Sequence, residues 1–110
     1  MLNVVAHETD YVGGVLFRAI EPTIGIDVMQ INRISKNLIN LTNGPGKLSV
    51  ALDITRDLNG NSVTDVSCDV AFYKTSITPS IASSHRIGVA RDLSIDLRFY
   101  VRDNPYISKH

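Results

Sequence analysis

The sequence has no tryptophan, one cysteine, four prolines and only 6% aromatic residues. A lone Cys68 excludes an internal disulfide framework and any zinc cage built on cysteines. No apolar run approaches the roughly 20 residues that a membrane span requires. No charged start followed by a long apolar stretch marks a signal peptide. Charge of either sign is not in excess either: 11 basic and 11 acidic side chains cancel, which argues against a basic nucleic-acid arm or an acidic tail while still allowing a local basic face. What is present fits one domain or part of one. The 110 residues are 44% hydrophobic and 20% charged, a balance unlike that of disordered chains. A free-standing domain of this size buries roughly two thirds of its unfolded surface. A soluble, cytoplasmic protein is expected.

No internal repeat or low-complexity linker interrupts the chain. Leu2–Ala6 and Val15–Ile20 are β-rich runs around a loop that contains Gly13 and Gly14, a hairpin signal. Glu21-Pro22 ends the second run, because proline cannot donate to a ladder. From Gly25 to Leu38 the residues Ile24, Val28, Ile31, Ser35 and Leu38 share one helical face, with Ile34 beside it. A second, short helix is expected after Asn43-Gly44, with Pro45 in its first turn and Leu48, Ala51 and Leu52 at helical spacing. Asp57–Asn61 reads as a turn. The second half reads as strands at 66–73, 86–90 and 97–101, with loop from Pro79 through the serines to Ser84. Helices and strands without regular βαβ alternation imply an α+β fold, largely antiparallel with a few short helices.

Strand alternation points to a candidate site. With a symmetric hairpin loop, Leu2 faces Ala19, Asn3 faces Arg18 and Val4 faces Phe17. Asn3 and Arg18 then project from one side of the sheet, about 5 Å apart at Cβ. Arg18 shares that face with Leu16 and Ile20, and a guanidinium among aliphatic neighbours needs an acceptor. Two readings stand: an ion pair with Glu8, Glu21 or a loop carbonyl, or a polar pocket that orients a ligand. Gly44-Pro45-Gly46-Lys47 opens a helix with free N–H groups beside a lysine, but it lacks the spacer and Lys-Ser/Thr pair of a P-loop. In the last strand Leu97, Phe99 and Val101 alternate with Arg98, Tyr100 and Arg102. One face is expected to pack on a core while the other shows a basic stripe, either a track for a nucleic-acid backbone or a solvated face.

Other chemistries fail on spacing. Asp57, Asn59 and Asn61 imitate the start of a calcium loop, but the twelfth position is Cys68 rather than glutamate. His7, His85 and His110 are too scattered to ligate a metal together. No serine sits in a nucleophile elbow.

The blocks Asn3-Val4-Val5, VLFRAIEP (Val15–Pro22), NGPGKLSVALDI (Asn43–Ile54), RIGVA (Arg86–Ala90) and LRFYVRDNPYIS (Leu97–Ser108) occur in one order. In that order they closely resemble the methylpurine, or alkyladenine, DNA glycosylase family. The resemblance covers the carboxyl-terminal half of the family's single domain. It implies base-excision repair: duplex DNA is bound, a tyrosine enters the minor groove, a damaged purine is flipped out and its N-glycosidic bond is hydrolysed. It implies no metal and no organic cofactor. Carried over by residue, Asn3 matches the pocket asparagine that senses the purine edge. Arg18 matches the arginine that helps hold the attacking water, and Ile87 the aliphatic residue whose backbone carbonyl contacts that water. Lys47, Arg98, Tyr100 and Arg102 are weaker candidates, as DNA-facing or scaffolding groups. The family's general-base glutamate, stacking aromatics, pocket histidine and wedge tyrosine would all precede Met1. The chain is therefore expected to be inactive alone, with damaged duplex DNA and the family's amino-terminal half as partners. The rival expectations are a non-catalytic nucleic-acid-binding remnant and a structural domain of the same fold.

Overall fold

In a computed structural model, which describes residues 1–108, the chain runs β1 (Asn3–Val5), β2 (Gly14–Leu16), α1 (Ile26–Arg33), α2 (Pro45–Ala51), a 3-10 turn (Arg56–Leu58), β3 (Ile81–Ser84) and β4 (Arg98–Val101). The order is α+β. Both sheets are antiparallel pairs, β1 with β2 and β3 with β4. Two units are distinguished: Met1–Lys74 with the segment from Tyr106 onward, and Thr75–Pro105.

In the first unit the expected hairpin forms, but in a different register. Asn3 pairs with Leu16, Val4 with Val15 and Val5 with Gly14, two residues away from the symmetric-loop expectation. The ladder continues at both ends, through Phe17 N–H to the Leu2 carbonyl at 3.0 Å and Ala6 N–H to the Gly13 carbonyl at 3.2 Å. The slip originates in the loop. Tyr11 N–H closes a turn onto the Glu8 carbonyl at 3.2 Å, with Asp10 in the left-handed region at φ 72, a conformation aspartate tolerates better than most residues.

Helix α1 is shorter than the expected span of 25–38. It stops where Ile34 takes φ 52, and the Ile34 and Ser35 N–H groups turn back to the Ile31 and Gln30 carbonyls. This is the reversed bonding of a Schellman end, made by a β-branched residue that enters this region only under strain. The buried face also differs from expectation. Met29 is buried, with Ile26 packed on the Met29–Leu41–Ala51 cluster, whereas Ile24, Val28, Ile31 and the 93%-exposed Ile34 lie open. At 100° per residue, the open stripe lies nearly opposite Met29 and Ile26. The inner face is fixed instead by polar ties. Arg33 donates to the Leu41 and Asn40 carbonyls at 3.1 and 3.2 Å, and Asn32 donates to the Ala51 carbonyl at 3.0 Å. Helix α2 begins as expected, with Pro45 in its first turn and Gly44 extended before it.

The expected strand at 66–73 is absent. Asp65 accepts from the Ser67 N–H and hydroxyl at 2.9 and 2.7 Å, and Cys68 N–H bonds back to the Asp65 carbonyl. A side chain that supplies local acceptors competes with a ladder. The same bonds hold the Asp65 carboxyl below its ordinary pKa, the Ser67 hydroxyl contributing most.

In the second unit, Ile81–Ser84 is a strand where loop is expected, and Arg86–Ala90 is loop where a strand is expected. Gly88 takes φ 73 there, which breaks extension. The β3–β4 register is Ile81↔Val101 to Ser84↔Arg98, extended by Arg102 N–H to the Ser80 carbonyl at 2.8 Å. The facing of β4 is reversed from expectation. Phe99 is 68% exposed, while Arg98 and Tyr100 are half-buried. A guanidinium stacked on a tyrosine ring shields both groups, and that outweighs the alternation of apolar residues in a ribbon with no core beneath it.

Candidate purine-site half

Asn3 lies exposed on β1. Arg18 lies two residues beyond Leu16, the last residue of β2 and the partner of Asn3. The expected facing of Asn3 and Arg18 does not form, because Leu16 takes the place opposite Asn3. Arg18 is followed directly by the segment that ties the hairpin to the helical layer. The buried Thr42 donates its hydroxyl to the Ile20 carbonyl at 2.7 Å, and Ile20 N–H returns a bond to the Thr42 carbonyl at 3.3 Å.

Arg18 Nε is buried, and no acceptor among the described residues reaches it. Glu8 and Glu21 form no ion pair with it among the described residues. A guanidinium N–H removed from water without an acceptor is costly. Such groups are uncommon in folded proteins and mark places where a ligand, water or another chain completes the structure. Asn3 offers an amide, donor and acceptor together, suited to reading a heteroaromatic edge.

Ile87 belongs to the second unit, half-buried in the loop between β3 and β4. That loop is closed by Asp92, whose carboxylate accepts from the Arg86 N–H at 2.8 Å, from Arg86 Nε at 2.6 Å and from the Leu93 N–H at 2.8 Å. Asp92 therefore fixes the peptide that carries Ile87. The Arg86 guanidinium holds the Asp92 carboxyl below the usual carboxylate range. His85 stands 3.9 Å from both Asp92 and Asp96.

The weaker candidates divide. Lys47 is half-buried, and its ammonium is bonded to the side-chain oxygens of Asn40 and Asn43, so it braces the loop before α2. Arg98 lies 4.4 Å above the Tyr100 ring and donates to Ser84 Oγ at 3.1 Å. Arg102 is exposed. Two residues escaped the sequence reading. Thr42 has no local signature, whereas Asp92, a few residues beyond Arg86 across a glycine, could have been suspected as a loop closer. Among the described residues no group of His, Cys, Asp and Glu could hold a metal. His110 lies outside the described residues. No described helix is long and apolar enough to cross a membrane.

Residues 1–105 match the family model for methylpurine-DNA glycosylase. A candidate 3-methyladenine DNA glycosylase of Prosthecochloris aestuarii is 38% identical over 109 residues, covering 99% of this chain and 52% of its own length. One from Enterococcus faecalis is 41% identical over 112 residues, covering 99% of this chain and 49% of itself. One from Methanoculleus marisnigri is 37% identical over 111 residues, covering 98% and 58%. The chain spans about half the length of these curated relatives, and it belongs to the methylpurine-DNA glycosylase family.

Proposed function

We propose that this chain supplies the purine-edge and water-holding half of a base-excision glycosylase that removes alkylated or deaminated purines from duplex DNA. On this reading both units are parts of one glycosylase domain. The damaged nucleotide is flipped out of the stack, and its purine edge meets the Asn3 amide. Water is held against the sugar by the Arg18 guanidinium and the Ile87 carbonyl. It attacks the anomeric carbon while the N-glycosidic bond breaks, and the bonding pair leaves with the purine. The proton lost by water passes to a glutamate general base. That glutamate and the wedge tyrosine come from the portion of the family that this chain does not match. Cationic N3- or N7-alkylated purines leave readily, so fit to the pocket contributes much of the selection.

The observation that carries this reading is the buried Arg18 Nε that no acceptor among the described residues reaches, in a chain whose family acts on methylpurines. An ion-pair role for Arg18 requires a bonded acceptor and finds none among the described residues. A free-standing nucleic-acid binder is disfavoured by the net charge of zero, since phosphate neutralisation supplies most non-specific affinity.

The experiment is base release from hypoxanthine- and 3-methyladenine-containing duplexes. It compares the chain alone with the chain joined, ahead of Met1, to the portion of the Prosthecochloris aestuarii relative that it does not match. The joined polypeptide is expected to release the base and the chain alone is not. Release by the chain alone, or by neither, overturns the reading.

A further inference from the structure

We propose that Asp92 is a positioning residue for the attacking water: it sets the Ile87 carbonyl, and release of neutral purines depends on it more than release of cationic ones. The proposal rests on the functional reading above. One carboxylate closes the loop at both ends. Its Oδ2 accepts from the Arg86 N–H at 2.8 Å, and its Oδ1 accepts from Arg86 Nε at 2.6 Å and from the Leu93 N–H at 2.8 Å. Ile87 follows the first of these anchors directly and precedes Gly88, whose φ of 73 turns the chain. From His85 to Leu97, Ile87 alone is half-buried and the other residues are exposed. Its carbonyl accepts no hydrogen bond from the described residues. The peptide is thus held from both sides while its oxygen stays open to a donor from outside.

The value of a held water depends on how poorly the purine leaves. In the reaction the water oxygen bonds to the anomeric carbon as the N-glycosidic bond breaks. The bonding pair goes to the purine, and the water proton passes to the general base. A cationic alkylated purine accepts that pair and departs neutral. Hypoxanthine accepts the same pair and departs as an anion, so its release relies more on the attacking oxygen. Displacing a positioned group by about 1 Å costs up to about 100-fold in rate. Asparagine cannot stand in for Asp92, because it has one acceptor oxygen. Its NH2 would meet either the Arg86 N–H, or the Arg86 Nε–H and Leu93 N–H, donor against donor.

Single-turnover release from hypoxanthine- and 3-methyladenine-containing duplexes tests the proposal, in the polypeptide joined to the unmatched portion of the Prosthecochloris aestuarii relative. Asp92→Asn is expected to slow hypoxanthine release by about tenfold or more and 3-methyladenine release by about threefold or less, with duplex affinity unchanged. Arg86→Met keeps both backbone N–H bonds to the carboxylate and removes only the side-chain bond. It is expected to slow hypoxanthine release by about threefold, less than Asp92→Asn does. Equal slowing on the two substrates, or equal slowing by the two variants, would make the Asp92–Arg86 pair a structural brace only and overturn the proposal. Weakened duplex binding with unchanged release of the bound base overturns it too. So does an Asp92→Asn protein that unfolds as a whole, since the residue then holds the fold rather than one carbonyl. No release by the parent joined polypeptide removes the functional reading and the proposal with it. Release by the parent, with the ratio of the two substrates unchanged in Asp92→Asn, removes the proposal alone.

Discussion

Thr42 and Ile20 exchange two hydrogen bonds, hydroxyl to carbonyl at 2.7 Å and N–H to carbonyl at 3.3 Å. This link holds the strand exit, two residues beyond Arg18, against the loop that leads into α2. Thr42 is fully buried, so Thr42→Val keeps the shape and removes the donor. A loss of about 1–3 kcal/mol is expected, the cost of leaving a shielded carbonyl without its partner. Urea unfolding of the two chains measures it, and an unchanged midpoint would show that the link bears no strain of the fold.

Arg18 gives a sharper contrast. A structural ion pair broken at one partner destabilises, whereas removing a side chain whose shielded Nε–H lacks an acceptor relieves a desolvation cost. Arg18→Met is therefore expected to leave the chain as stable as before, or more stable by about 1 kcal/mol. A fall in stability beyond about 2 kcal/mol on the same unfolding assay would restore the ion-pair reading.

Asp92 closes the loop that carries Ile87, and its carboxyl is held low by Arg86, with His85 also facing it. A carboxyl lowered on folding contributes its full stabilisation above its unfolded value, about 3.9, and loses it as pH falls through the lowered folded value. Amide exchange at Gly88 and Leu93 should therefore respond to Asp92 equally at pH 7 and pH 5. The loop should loosen only in acid below about pH 4. Asp92→Asn should produce the loosened loop at pH 7. Protection that falls between pH 7 and pH 5 would contradict the assignment of the closure to the Asp92 carboxylate.

Lys47 braces Asn40 and Asn43. Lys47→Met is expected to cost about 1–2 kcal/mol of stability through the two stranded amide oxygens. It should also leave the salt dependence of duplex binding by the joined polypeptide unchanged. A salt slope reduced by about one unit would instead make Lys47 a phosphate contact.

How much of this was legible in the sequence depends on the range of the contacts. The hairpin follows from two β-rich runs around a glycine-containing loop. The register does not follow, because it is set by Asp10 adopting a left-handed turn. Helix α2 announces itself through Gly44-Pro45. The end of α1 does not, since Ile34 carries no stop signal and is held by backbone bonds alone. Its buried face was misassigned because Met29 and Ile26 meet Leu41 and Ala51, a choice made by tertiary packing between two faces that are each apolar. Strand and loop were exchanged in the 81–90 region because serines in β3 read as loop, while the Arg86–Asp92 closure depends on a contact across Gly88. The family blocks carried the functional expectation further than any single spacing did.

The most direct measurement is single-turnover release of hypoxanthine from duplex DNA by the joined polypeptide, with Arg18 intact and as Arg18→Met, at matched folding and matched DNA affinity. A water-holding guanidinium predicts a loss of about 100-fold or more in the chemical step, with binding unchanged. Equal release rates for the two proteins would contradict the account.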